Sequence, residues 1–409
     1  MRKPRLSGRW THLLVTAGAL LTAGSTLADE PLKIFILAGQ SNMVGHAKAH
    51  TIATLFASDH PRDQQLRDLV FENGNGLSRE LLEEQLARGR QLDALTGGIS
   101  HEKIKALSEG PEKQDLEAQI KTLKDAQEAY KQQVAAHCKS SDRIRISSIA
   151  DRNRKSGKLG IGYGGSNEKI GPEYGFGLSL AERIDGPILL IKTSWGGKSL
   201  HYDFRPPSAG PYQPAEKELA SDKLPEIRQN AGLNYRMMHE AIGKVLADPG
   251  SYHPGYDATA GYEIAGFVWF QGFNDQFSPE FRDHYRDNLI ALIKDIRNQY
   301  QDPGMPFVIG VLGTGMTAEK VAENPVSAAQ REAARIMGAG SGVAAVESYP
   351  EYSLYANDIF QKGWPQHFHQ WDMVGSDRPY HYLGSGAFFV RFGDALADSM
   401  VDLLTHRKK

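Results

Sequence analysis

Five runs of apolar, mostly β-branched or aromatic residues constrain this chain more than anything else in it: residues 33–38, 187–193, 266–270, 306–312 and 343–347. Each is apolar throughout rather than alternating, the pattern of a strand covered on both faces. Between and after them, residues 176–184, 230–247, 279–300, 326–337 and 385–404 carry apolar side chains at helical spacing, and in the last of these Phe388, Phe392, Leu396 and Met400 form one stripe. Strand alternating with helix predicts a parallel sheet joined by right-handed crossovers. The expected fold is α/β, a three-layer α/β/α sandwich with a five-stranded parallel sheet, whose ligand lies across the carboxyl ends of the strands.

Residues 59–145 interrupt this rhythm. They are rich in Glu, Gln, Lys and Arg, hold a helical run at 112–136 with Leu116, Ile120 and Leu123 at helical spacing, and lack a sustained apolar strand. They read as a helical insertion after the first strand, either a hairpin packed on the domain or a partner-binding arm. With no repeat or low-complexity linker, residues 29–409 read as one domain carrying that insertion, without a separate carbohydrate-binding module.

The first 28 residues read as an export signal. Arg2, Lys3, Arg5 and Arg9 make a basic start, residues 13–23 an apolar stretch, and Thr26, Leu27 and Ala28 a small-residue cleavage site before Asp29. The apolar stretch is shorter than the roughly 20 residues a bilayer span needs, so cleavage and a periplasmic or extracellular location are expected, with no membrane association afterwards. A net charge of -2 supplies no field to draw the chain onto nucleic acid, and Cys138, the only cysteine, has no partner for an internal disulfide. Oligomeric state is not legible.

The first strand runs into Gly39, Gln40, Ser41, Asn42 and Met43, which sets a serine at a strand's carboxyl end. A serine there can simply cap a helix. To act as a nucleophile it needs a histidine base and a carboxylate that orients the base. Residues 377–384, just before the last helix, offer both, with His381 as base and Asp377 as orienter. The oxyanion formed on attack needs preorganised donors. Residues 193–198 follow the second strand and offer the N–H of Gly197 or Gly196; residues 269–275 follow the third and offer the side-chain amide of Asn274.

These blocks, GQSNM, TSWGG, WFQGFND and a terminal acid-plus-histidine loop, in that order, resemble the SGNH hydrolases, and among them the sialate O-acetylesterase domain family, which includes carbohydrate esterase family six. The resemblance runs from about residue 32 to 397, leaving out the insertion. It implies a flavodoxin-like fold and serine esterase chemistry on an acetylated carbohydrate, without cofactor or metal. It assigns Ser41 as nucleophile and first oxyanion donor, Gly197 or Gly196 as the second donor, Asn274 as the third, His381 as base and Asp377 as acid, and it matches Gln271 to the family's aromatic-Gln-Gly block. Gln40, Gln271, Trp195 and Tyr380 stand as candidate substrate contacts; Trp195, Tyr380 and Tyr382 could stack on a sugar or merely pack at the rim.

One departure bears on the acid. The family spacing is Asp-x-x-His, whereas three residues, Pro379 among them, separate Asp377 from His381. Asp372, or a backbone carbonyl in a dyad, is the alternative. His367, His369 and Asp372 also invite a metal reading, which their setting between Pro365 and Phe368 in an apparent loop disfavours. Two other functions stay open: hydrolysis of non-carbohydrate acyl esters, and glycan binding by a chain that has lost the chemistry.

Overall fold

The computed structural model describes residues 30–151, 153–338 and 340–407. Nine strands form in chain order: β1 (Leu32–Gly39), β2 (Ala47–Lys48), β3 (Ser141–Ala150), β4 (Asn153–Leu159), β5 (Lys169–Ile170), β6 (Ile188–Ser194), β7 (Tyr262–Phe270), β8 (Phe307–Val311) and β9 (Val343–Glu347). Seven of them make one sheet in the order β4-β3-β6-β1-β7-β8-β9, and β2 pairs with β5 apart from it. All neighbours in the large sheet run parallel except β4, which is antiparallel to β3. The chain builds first to one side of β1 and then crosses to the other, so a topological switch point lies at the carboxyl end of β1, where open sheets of this class bind ligands.

Helices cover both faces. Phe35 and Leu37 of β1 point into one apolar layer with Phe176 of the helix Pro172–Arg183 and with Phe388 and Phe392 of the helix Gly386–Arg407. Ile34, Ile36 and Ala38 point into the other, against Met238 of Leu233–Ala247, Leu289 and Leu292 of Pro279–Gln299, and Val326 of Pro325–Met337. Each large side chain buried in this way contributes about 1.5–3 kcal/mol. The helix starts follow local rules: Pro172, Pro279 and Pro325 occupy first-turn positions, and the Asn324 side chain accepts the N–H groups of Val326 and Ser327.

The sheet has seven strands rather than the expected five. All five apolar runs are strands, and the two additions are β3 and β4. β3 alternates, turning Ile144 and Ile146 inward and arginines outward, while β4 is a polar edge strand of sequence NRKSGKL. Neither is a continuous apolar run, and charge on an edge strand guards it against pairing with other chains. The run expected as a helix at 230–247 is helical over Leu233–Ala247, and Gly232, in the left-handed conformation, separates it from a short preceding helix, Leu224–Asn230.

The polar stretch is helical at Pro61–Val70, Arg79–Thr96 and Pro111–Ala136, and then leads into β3. It packs on the domain rather than standing off it: Leu66, Val70, Leu82, Leu86, Tyr130 and Val134 share the layer that holds Phe176 and Phe388. The expected export signal and the start at Asp29 lie outside the described residues. Among the described residues no helix is long and apolar enough to cross a membrane.

One buried ion pair fastens the sheet to the turn that follows β1. Lys192 of β6 is fully buried beside Leu37 and Ser148, and its Nζ donates to the Val44 carbonyl at 2.8 Å, to the Tyr163 carbonyl at 2.9 Å and to Glu173 Oε2 at 2.7 Å. Burial holds the ammonium below the ordinary lysine range, against the opposing pull of Glu173. Removing one partner strands the other charge. In urea unfolding, Lys192→Met should therefore cost about 3–5 kcal/mol, and the double change Lys192→Met with Glu173→Leu should recover part of that loss; a single variant as stable as the native protein would refute this role.

Candidate active site

β1 ends at Gly39, where an added Cβ would lie 2.1 Å from the Phe270 carbonyl oxygen, so only glycine lets β1 and β7 come this close. The chain turns at once into the four-residue helix Ser41–Val44, with Gln40 at its start accepting the N–H groups of Met43 and Val44. Ser41, buried at 8% exposure, begins that helix, and its own N–H has no partner among the described residues. Lys192 holds the last carbonyl of the helix, Val44, in place.

A network of side-chain amides lies under this turn. Gln40 Nε2 donates to Asn274 Oδ1 at 3.2 Å, while Gln40 Oε1 accepts Gln271 Nε2 at 3.0 Å and the Gly272 N–H at 3.3 Å. Because Asn274 receives a donor on its oxygen, its NH₂ is the group left to face the cleft. Gln271 Nε2 also donates to the Lys198 carbonyl and to Asp275 Oδ2, and its Oε1 accepts the Tyr285 hydroxyl. Asp275, fully buried, accepts the N–H groups of Leu200 and His201 and so ties the loop after β7 to the loop after β6.

The loop after β6 separates the two candidate glycines. The Gly196 N–H donates to Asp151 Oδ1 at 2.6 Å, whereas Gly197 is exposed, in the left-handed region at φ 70°, and its N–H is unused by the fold. Gly197 is thus the available donor. Asp151, at the tip of the β3–β4 hairpin with φ 51°, was not foreseen, because nothing in the local sequence marks a hairpin there.

The terminal loop brings Asp377 to His381. Asp377 Oδ1 lies 3.2 Å from His381 Nδ1 and accepts the Arg378 N–H at 2.7 Å. The His381 ring is turned off the line of an ideal hydrogen bond, as catalytic pairs without substrate often are. The wider Asp–His spacing is spanned by a tight turn in which the His381 N–H donates to the Arg378 carbonyl at 2.9 Å, and two left-handed residues, Tyr382 and Leu383, follow the histidine. Asp372, the alternative acid, pairs instead with Lys131 of the helix Pro111–Ala136 and with Lys48 at 3.9 Å. A residue absent from the sequence reading completes the group: His46, whose Nδ1 is 3.4 Å from Asp377 Oδ2 and whose ring stacks on His381 with centroids 4.1 Å apart and planes 4° from parallel. Burial and the His381 charge push the His46 pKa down to about 3, against the pull of Asp377.

His46, Asp377 and His381 each offer one atom that could ligate a cation, all within 4.8 Å of one another. The two imidazole planes are parallel, with each Nδ1 set against a separate oxygen of one carboxylate, which is an arrangement of donors around an acceptor rather than lone pairs converging on an ion. The metal reading weighed and disfavoured for His367, His369 and Asp372 finds no such cluster of potential ligands among the described residues.

Three of the expected substrate contacts are buried in the structure. Gln40 and Gln271 are buried with their amides engaged as described, so they position loops. Trp195 is also buried, in the apolar layer beside Phe204. Tyr382 is buried as well, stacked on Phe388 with its hydroxyl bonded to Ser348. Tyr380 is 43% exposed, against Phe273 and beside His381, and Phe277, packed on Phe273, is 68% exposed. These three rings form a ledge next to Asn274 and His381.

Comparison with known proteins gives one family match: residues 251–348 match the family described as carbohydrate esterase, sialic acid-specific acetylesterase. That stretch contains the WFQGFND block with Asn274, while Ser41, Gly197, Asp377 and His381 lie outside it. No curated protein matches the chain. Among solved structures, a protein from Arabidopsis thaliana is 16% identical, with 91% of this chain and 98% of that chain covered and a TM-score of 0.43. A carbohydrate acetylesterase from Xanthomonas citri is 14% identical, with 77% of this chain and 49% of that one covered and a TM-score of 0.36. NanS is 11% identical, with 78% of each chain covered and a TM-score of 0.36.

Asp275 gives the site a pH signature. Burial pushes its carboxyl up to about 7 against the lowering effect of its N–H donors, whereas an aspartate in an unfolded chain ionises near 3.9. Between those values the folded protein keeps a proton that the unfolded chain has lost. Its contribution to stability is fully present below about pH 4 and is lost as pH rises to about 7. In urea unfolding from pH 5 to 7, Asp275→Asn should flatten the fall in stability seen for the native protein; an unchanged slope would mean that Asp275 is ionised throughout.

Proposed function

We propose that the protein is an exported serine O-acetylesterase acting on an acetylated carbohydrate, a polysaccharide or a sialylated glycan. The observation that supports the reading is that the turns after β1, β6 and β7 carry a serine, two backbone N–H groups without a partner among the described residues and an oriented asparagine amide, while the loop before the last helix carries a carboxylate-backed histidine. The family matched by residues 251–348, a carbohydrate esterase, supports the same chemistry.

In the proposed mechanism His381 takes the Ser41 proton as Ser41 Oγ attacks the acetyl carbonyl carbon. The resulting oxyanion is stabilised by the N–H groups of Ser41 and Gly197 and by the Asn274 amide, while Asp377 keeps His381 in the required tautomer and offsets its positive charge. His381 then passes its proton to the departing sugar oxygen, leaving an acetyl-serine. Water, deprotonated by His381, attacks that ester, and return of the proton to Ser41 frees acetate. No cofactor or metal enters these steps. The ledge of Tyr380, Phe273 and Phe277 offers its exposed ring faces to the apolar face of a sugar.

Two experiments test this reading. Ser41→Ala should lower acetate release from 4-nitrophenyl acetate and from acetylxylan at least about a thousandfold, and Asp377→Asn by about 10²–10⁴, with Asp372→Asn near native. Activity surviving in Ser41→Ala would end the proposal, and full activity in Asp377→Asn would remove that carboxylate from it. For the ledge, Tyr380→Ala and Phe277→Ala should each raise KM on an acetylated oligosaccharide about 3–10-fold with 4-nitrophenyl acetate unaffected; equal losses on both esters would deny the rings a role in sugar binding.

A further inference from the structure

Asp377 has two imidazoles against it, and acyl transfer accounts for only one. Its Oδ1 serves His381, while its Oδ2 lies 3.4 Å from His46 Nδ1, with Lys169 Nζ at 4.0 Å. Building on the esterase reading, we infer that His46 is a positioning residue for the acid–base pair, a neutral imidazole that turns its Nδ1–H toward Asp377 and its ring face toward His381.

Four observations support this. His46 Nε2 is buried and has no partner, so the ring proton belongs on Nδ1, where a carboxylate oxygen receives it. The groups facing His46 are His381 and Asp377 from the terminal loop, Lys169 from β5 and Lys192 from β6, and of these only Asp377 favours a charged ring. His46 therefore stays uncharged while its stacked neighbour takes up and releases the proton from Ser41, and it adds no repulsion at the moment His381 becomes cationic.

The third is the long Asp–His spacing. The turn closed by the His381 N–H on the Arg378 carbonyl delivers His381, but apart from His381 the Asp377 carboxylate receives only the Arg378 N–H from its own loop, and His46 provides a second hold on the opposite oxygen. The fourth is connection. His46 lies five residues after Ser41, its carbonyl accepts the Ser376 hydroxyl at 3.2 Å, and the Lys48 N–H donates to the same hydroxyl at 3.0 Å. Stacking His46 on His381 therefore locks the serine turn to the acid–base loop, which are far apart in sequence.

The test uses the intact protein and three variants: His46→Ala, which removes ring and donor, His46→Phe, which keeps the ring face, and His46→Asn, which keeps an N–H. On 4-nitrophenyl acetate, His46→Ala and His46→Phe should lose about tenfold or more in kcat with KM within about threefold, and the low-pH limb of kcat/KM should move, while His46→Asn recovers part of the rate. Native kcat and an unmoved limb in His46→Ala would overturn the inference, as would losses in all three variants that only track their loss of thermal stability. Nitrogen-15 NMR of labelled histidines provides a readout independent of turnover. His46 should appear as the Nδ1–H tautomer, without titrating, from pH 5 to 8; an Nε2–H tautomer or a titration in that range overturns the assignment. Should the intact protein hydrolyse no ester, the esterase reading fails and the NMR result still decides the state of His46.

Discussion

A single ammonium group without access to water holds this architecture at its functional end. Lys192 lies in the middle of the sheet, where its charge is costly to bury unless every donor finds an acceptor, and it finds three: two backbone carbonyls and Glu173. Glu173 Oε1 in turn accepts the Gly171 N–H, at the start of the helix Pro172–Arg183. One buried pair thereby joins a central strand, the turn bearing Ser41, the loop before β5 and a helix of one covering layer. An apolar residue would pack in its place, but it would leave the Val44 carbonyl without a donor and the serine turn free to shift.

The same economy governs the rest of the site. The three proposed oxyanion donors follow three adjacent strands, β1, β6 and β7, so their spacing is set largely by the hydrogen-bonded ladder of the sheet. What the ladder leaves free, buried amides and carboxylates remove: Gln40 decides which end of Asn274 faces the cleft, Asp275 joins two loops, and Asp151 occupies the N–H of Gly196 so that Gly197 is the one left open. Polar groups in a dry interior are expensive when unpaired, and a fully paired set admits few alternative arrangements.

Much of this was legible in the chain. All five apolar runs became strands because a buried parallel strand must be apolar on both faces, a requirement strong enough to survive without context. The serine turn, the asparagine and the acid–histidine loop were legible because each follows a strand end or precedes the last helix. The edge strands were not, since β3 alternates and β4 is polar, and an edge makes weaker demands on composition. Nor were His46 or Asp151: their roles depend on contacts with residues more than forty positions away, and no local period announces such a contact. For Gln40 and Gln271 the sequence marked the position but not the partners, because a strand-end amide looks the same in sequence whether it faces a ligand or, as both do here, a neighbouring loop.

The hairpin tip at Asp151 shows what this arrangement asks of evolution. A tight turn on an edge strand is ordinarily where a chain drifts most freely, accepting glycine, asparagine or an extra residue at little cost. Here the backbone must be left-handed and the side chain must reach Gly196 with an acceptor oxygen, a pair of demands of which glycine meets only the first and which, outside glycine, aspartate and asparagine are best suited to meet together. A position on the outermost rim is thus as narrowly prescribed as one in the core, and sequence variation in relatives sharing this loop should be sparse at a place where surface exposure alone would lead one to expect it.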